Sequence, residues 1–394
     1  MSPRIYLDYN ATTPLHPEVA AAVKETLGHF GNPSSVHWAG RETKRLLTET
    51  REALGRFINC DPLEIVFTSG GSESNNLALK GLLRNSTFSP NRREIICSNV
   101  EHPSVLKTME YLKGEGFQIH WLKVRRDGHI DLKQLDTLLS DRVALLSLQL
   151  VNNETGNIFP LKEVTSRAHA HGILVHSDMV QALGKIPVDL RDLGVDLASF
   201  AGHKFYALKG AGFLYVKKGI HLTPLIHGGG QERGRRAGTE NALAVSSLGT
   251  AIRVLGPQLS GINGRIAQMR DQLEKKILLN ISGCRVNGVE SPRISNTTNI
   301  LFDDVDGETL LINLDTRGFA VSSGAACSSG SNEPSPVLTA MGLNTNEASR
   351  SLRVSLGWMT TQEEVDAFYG QLVEALRQIR EIHQLNSEAE RELA

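Results

Sequence analysis

The stretch LASFAGHKFYALKGAGFLYV (Leu197–Val216) sets two short apolar runs, LASFA and GFLYV, on either side of a polar, glycine-containing turn that carries His203 and Lys204. Such runs are too short for an amphipathic helix and rich in aromatic and small apolar residues, so they read as buried strands. The upstream run ILVHSD (from Ile173) has the same form and ends on a carboxylate, Asp178. Working outward, further runs stand at EIVFTS (from Glu64), EIICS (from Glu94), QIHWLKV (from Gln118) and VALLSLQLV (from Val143). Helical patterns separate them at Glu73–Arg84, Val105–Lys113, Leu132–Leu139 and Leu161–His171. Alternation of this kind predicts an α/β fold whose largely parallel sheet is covered by helices on both faces. Ligands of such sheets bind beyond the carboxyl ends of the strands. Gly70-Gly71-Ser72, Glu101-His102, Asn152-Asn153, Asp178 and His203-Lys204 each follow one of the runs, which predicts one crevice for all of them.

The texture changes after about Leu255. GINGRIAQMRDQLEKKILLN reads as a long helix; TTNILFDD, GETLLINLDTRG and SLRVSLGW suggest a small α/β unit. A last helix is expected from about Thr361 to His383, followed by a polar tail that frays. Residues 14–255 are therefore expected to form a large domain, and 1–13 with 256–394 a smaller one bearing a loop at about 322–336.

Composition narrows the function classes. The 394 residues are 40% hydrophobic and 22% charged, with a formal net charge of −1, so neither nucleic acid nor an anionic membrane is an expected partner. No apolar run approaches a membrane span, and MSPRIYLDYNATTP lacks the features of a secretory signal, which makes the cytoplasm the expected compartment. Cys60, Cys97, Cys284 and Cys327 are scattered without metal-ligand spacing, and no metal is expected.

Lys204 can form a Schiff base and Asp178 can hold a ring nitrogen protonated, the two needs of pyridoxal phosphate. SGGSESNN (Ser69–Asn76) fits either a phosphate cradle at a helix start or a plain strand-to-helix turn with a serine cap. GGGQERGRRAGTEN (Gly228–Asn241) suits an anion, a subunit contact or a solvated charged loop. His169 and His171 read as solvated or dipole-facing residues near a helix end. Cys327 in SSGAACSSGS has small, polar neighbours that would not bury a thiol, as a travelling nucleophile requires. Arg353, alone in the apolar run SLRVSLG, calls for an anionic partner, structural or substrate.

Together YLDYNATTP, FGNPSSVH, VFTSGGSESNNLALKG, NVEHPSV, VNNETG, HSDMVQALGK, GHK, GGGQERGRRAGTEN, SSGAACSSGS and SLRVSLGW resemble, nearly end to end, the cysteine desulfurases of the NifS/IscS-like branch. That family lies within the class V aminotransferases, fold-type I enzymes that use pyridoxal 5'-phosphate. The resemblance implies that Lys204 forms the Schiff base, Asp178 pairs with the pyridine nitrogen, and Gln181 contacts the ring hydroxyl oxygen. It implies further that His102 stacks on the ring, that Gly71, Ser72 and His203 hold the phosphate, and that Thr239 reaches in from the partner of a homodimer. Asn153 and Arg353 are implied to fix the carboxylate of L-cysteine, and Cys327 to take its sulfur as a persulfide for a sulfur-acceptor protein, an iron–sulfur scaffold or sulfur carrier. Iron–sulfur cluster assembly and tRNA thiolation are the implied destinations. Three departures stand out: Ala201 replaces a serine, Met179 is expected to crowd the pocket, and Ala207-Leu208 lacks a proline that would stiffen the loop. The alternatives are a selenocysteine lyase or cystine C–S lyase on the same scaffold, an aminotransferase, and a non-catalytic subunit with a decayed site.

Overall fold

The computed structural model describes residues 4–84, 91–323 and 334–393. A seven-stranded sheet forms its centre, in the spatial order Ile65–Thr68, Gly212–Val216, Leu197–Ala201, Leu174–Asp178, Val143–Ser147, Glu94–Ser98 and Gln118–Leu122. The last five of these run parallel, and Gly212–Val216 lies antiparallel to both of its neighbours. Every residue of the strands Val143–Ser147 and Leu197–Ala201 is buried, which is why they read as unbroken apolar runs and not as alternating ones. Two apolar clusters lie against this sheet: one holds Phe200, Phe213 and Val175, the other Val66, Leu145 and Leu214.

The expected helices appear with their ends set by local chemistry. Gly71–Leu83 starts directly after Gly70, and Glu73 in its first turn accepts the backbone N–H of Ser69 at 2.8 Å. Pro103–Gly114 begins with a proline that needs no N–H partner, and the His102 ring caps it by accepting from Ser104 N at 3.1 Å.

A second, four-stranded antiparallel sheet takes the order Ser322–Ser323, Ser351–Ser355, Thr297–Phe302 and Cys284–Val286. It packs with the helices Leu259–Asn280 and Gln362–Leu393 around Phe302, Phe319, Phe368 and Leu372. The N-terminal pair Ile5–Tyr6 lies parallel to Phe319–Ala320. The last helix runs on to Leu393, where the sequence suggested fraying after His383; glutamate, alanine, arginine and leucine in that tail are all good helix formers. Among the described residues, no helix is long and apolar enough to cross a membrane.

Candidate active site

The parallel strands deliver their carboxyl ends to one cavity of about 270 Å³. Its walls include Gly71, Ser72, His102, Asn153, Asp178, Gln181, His203, Lys204 and Arg353, nine of the residues expected from the sequence. Thr239 is exposed and outside this wall, in a loop that this chain does not bring to its own cavity. Cys327 lies outside the described residues.

Asp178 ends the strand Leu174–Asp178 and is 7% exposed. Its Oδ2 accepts from Asn75 Nδ2 at 2.7 Å and its Oδ1 from the backbone N–H of Val180 at 3.0 Å, so the carboxylate is fixed from both sides. Beneath it His176 is wholly buried between the hydroxyls of Ser147 and Ser199, and burial holds its ring down at about 3, hence neutral.

Lys204 closes the short turn Gly202–Lys204 that follows Leu197–Ala201. Its Nζ donates to the backbone oxygens of Asn10 at 2.6 Å and Ala11 at 2.7 Å, contributed by the N-terminal segment. Two residues on, Tyr206 takes a left-handed φ of 67°, which an L side chain adopts only when its surroundings impose it. Thr13 Oγ1 accepts its N–H at 2.8 Å and its own hydroxyl accepts from Trp358 N at 2.7 Å. Further anchors, Ala207 N to Gly202 O and Leu208 N to the Ser247 hydroxyl, hold the loop although it lacks the proline.

Burial keeps the His102 ring below its ordinary value, with the Asp178 carboxylate opposing and the Lys204 amine adding to the shift. His203 is pushed down to about 4, first by burial and then by Lys204. Both imidazoles are therefore neutral at pH 7. Arg353, 2% exposed, donates to Asn153 O at 3.0 Å and pairs with Asp8 at 2.7 Å, while its Nε has no partner among the described residues. A buried guanidinium with an unused donor in a cavity wall is suited to a carboxylate.

The phosphate end rests on backbone. Gly71 lies at the start of the helix Gly71–Leu83, and a Cβ there would come within 2.8 Å of Val180 Cγ2. Free N–H groups and a positive helix end suit an anion, and the cradle fits pyridoxal phosphate beside Lys204 and Asp178. Ala201 lines this end with a methyl group and offers it no hydroxyl. Met179 does not crowd the cavity: it is fully buried in the core, and Val180 occupies the wall instead.

Asn75 and Asn10, both in the wall, had little signal in the sequence, whereas Glu101, expected in the crevice, lies outside the wall. Asn75 sits in a helix start read for its glycines, and Asn10 in an N-terminal segment read for its strand. Glu101 is buried, accepts from the Ser98 hydroxyl at 2.6 Å and Gln149 N at 2.7 Å, and is raised to about 8 chiefly by burial. Glu154, raised to about 7 for the same reason, accepts the hydroxyl of Ser335, which caps the helix Pro336–Ala340. The arginines of the second glycine-rich loop serve elsewhere. Arg236 pairs with Glu73 at 2.9 Å, and Arg233 donates to the oxygens of Leu63 and Ile65. His169, expected to be solvated or dipole-facing, pairs with Asp196 at 2.8 Å.

The Aminotransferase class-V family matches residues 5–368. The chain is 42% identical over 383 residues to the cysteine desulfurase IscS of Dictyoglomus turgidum, covering 97% of each. It is 40% identical over 380 residues to the cysteine desulfurase NifS of Azotobacter vinelandii, covering 96% of this chain and 94% of that one. Among solved structures, a NifS-like protein superimposes with a TM-score of 0.88 at 36% identity, over 95% of this chain and 100% of that one. A structure described as SspA in complex with cysteine gives a TM-score of 0.78 at 33% identity, over 89% and 98%.

Proposed function

For a chain that belongs to the class-V aminotransferases and, within them, to the cysteine desulfurases, we propose a reaction that moves the sulfur of L-cysteine onto Cys327 and releases L-alanine. The enzyme is a pyridoxal phosphate-dependent cysteine desulfurase. The observation that carries the reading is the single cavity uniting Lys204, Asp178, Gln181, His102 and the buried Arg353. When bound, the cofactor supplies an electron sink beside the substrate Cα.

Each residue then has a task its surroundings support. Asp178, fixed by Asn75 and Val180, holds the proton on the ring nitrogen. Gln181 meets the ring hydroxyl oxygen, while Gly71, Ser72 and His203 hold the phosphate. Arg353 and Asn153 orient the substrate carboxylate, as the pair they already form in the wall supports. Lys204 takes and returns the Cα proton, and the neutral imidazole of His102 is able to accept one. Cys327 as thiolate attacks the substrate sulfur. The S–S bond forms as the C–S bond breaks, and the electron pair stays on carbon, which takes a proton and becomes the methyl group of alanine. A structural neighbour solved with cysteine bound supports the substrate.

Beyond one chain, the reading includes a homodimer in which Thr239 serves the partner's site, a cytoplasmic setting, and a sulfur-acceptor protein such as an iron–sulfur scaffold. Exposed Phe30 and Trp38, whose rings meet at 6.2 Å, support a subunit contact on that side of the molecule. Domains at 14–255, and at 1–13 with 256–394, remain the proposed division.

The test supplies L-cysteine and a thiol reductant, and measures sulfide and alanine for wild type and Cys327→Ala. Equal yields in the wild type, both lost in the variant, are expected. Full activity in Cys327→Ala would instead favour the lyase reading, which needs no enzyme thiol.

A further inference from the structure

The tasks above leave a second amine, this one buried, without a role. Lys185 lies four residues beyond Gln181 in a run of turns, is 8% exposed, and its side chain ends against two residues of the cavity wall, Asn10 and Gln181. Its Nζ donates to Asn10 Oδ1 at 2.8 Å and to Gln181 Oε1. No carboxylate contacts it among the described residues; its neighbours in charge are Lys204 and Arg353, which oppose its protonation, and Asp8, which favours it. Burial is the chief cause that pushes the amine well below its ordinary value, and the two cations add to it.

This arrangement settles which way the Gln181 amide faces. Even as a neutral amine Nζ carries two N–H donors, and the two oxygens beside it, Asn10 Oδ1 and Gln181 Oε1, take them. The amide nitrogen is consequently turned the other way, where one N–H donates to Asn10 O at 2.9 Å. The other is the donor that the amide can offer to the cavity it lines. A reversed amide would set its oxygen against the Asn10 carbonyl and take from one Lys185 N–H the oxygen it now meets. We propose that Lys185 is a positioning residue: it fixes the Gln181 amide so that an N–H, and not an oxygen, meets the ring hydroxyl oxygen of the cofactor. The proposal rests on the placement of Gln181 against that oxygen.

An N–H directed at the ring oxygen draws off negative charge that would otherwise hold a proton on the neighbouring Lys204 nitrogen. Loss of the correct orientation therefore raises the pH at which the visible band of the Lys204–cofactor chromophore titrates. The experiment compares that midpoint in wild type, Lys185→Met, Gln181→Met and the double variant, all loaded with pyridoxal phosphate and without substrate. Melting of the cofactor-free proteins is measured alongside. Lys185→Met and Gln181→Met are each expected to raise the midpoint by about one pH unit, and the double variant by no more than either alone. The cofactor-free Lys185→Met protein is expected to melt within a few degrees of wild type, because Asn10 Oδ1 keeps Asn296 Nδ2 at 3.2 Å and a buried amine gives way to an apolar chain.

Should Lys185→Met fail to fold or load, Lys185→Gln retains a neutral donor and is expected to keep the wild-type midpoint; a shift as large as that of Gln181→Met overturns the proposal. An unshifted Lys185→Met beside a shifted Gln181→Met also overturns it. Full additivity in the double variant does so too, since Lys185 would then act by charge alone. If Gln181→Met itself leaves the midpoint unchanged, the placement of Gln181 has failed and the proposal falls with it.

Discussion

Single residues at this site work through burial more than through contact with solvent. Glu101 shows the sign of the effect. Its carboxyl is wholly enclosed and raised to about 8, with the Ser98 hydroxyl and Gln149 N–H pulling the other way and the Asp178 charge adding to the rise. The folded state thus holds a proton there that the unfolded chain gives up near the ordinary glutamate value. Its contribution to stability is present in full below that value and is lost as pH rises through about 8. Glu101→Gln removes the titration while keeping an acceptor for both donors. Its melting temperature is expected to exceed that of the wild type by a few degrees at pH 8, and to show no gain at pH 5. A difference between the two proteins that does not change with pH would contradict this account. The buried histidines oppose it in the wild type, since His203 at about 4 and His176 at about 3 favour folding increasingly as pH rises from those values to the ordinary histidine value. For that reason the prediction concerns the difference between the variant and the wild type. The sequence expects Glu101 beside His102 in the crevice and says nothing of its enclosure; burial depends on what packs above the residue.

Among the elements, the start of Gly71–Leu83 carries the phosphate end of the site, and its fit is steric as well as electrostatic. A Cβ on Gly71 would meet Val180 Cγ2 at 2.8 Å, and a valine methyl cannot swing clear without a rotamer change. Gly71→Ala is expected to weaken pyridoxal phosphate binding about tenfold, and Val180→Ala in the same chain to restore most of it. Equilibrium titration of the cofactor absorbance checks both. Failure of the second change to restore binding would place the cost of Gly71→Ala in the helix backbone instead. At this scale the sequence was informative: the short apolar runs and their turns located the strands, and the helices began within a few residues of their expected starts. Its errors were at ends, as with the last helix, because helix formers in NSEAERELA continue a helix that the polarity of the segment argues against.

For the whole molecule, Asn10 shows how distant segments are joined at the cavity. Its side chain links Asn153 O at 3.0 Å, Thr297 Oγ1 at 2.8 Å and Lys185, and its backbone oxygen receives Lys204. A site assembled in this way is open to a second chain as well. If Thr239 serves a partner, a mixture of Thr239→Ala and Lys204→Ala proteins, each inactive or nearly so, is expected to recover about a quarter of wild-type activity after subunit exchange. Half of the dimers would be mixed, with one intact site each. No recovery, despite exchange shown by mass, would remove Thr239 from the partner's site. What the sequence by itself determined is the sheet, because short buried runs and glycine turns are local patterns that survive in one dimension, and the family, through the motifs that resemble it. Only the tertiary structure decided which groups are enclosed and which way they face. It turned Met179 into the core, left Thr239 exposed, neutralised the imidazoles of His102 and His203, and set Lys185 against the Gln181 amide. Desolvation and hydrogen-bond direction depend on neighbours far apart in the chain, and only packing brings those neighbours together.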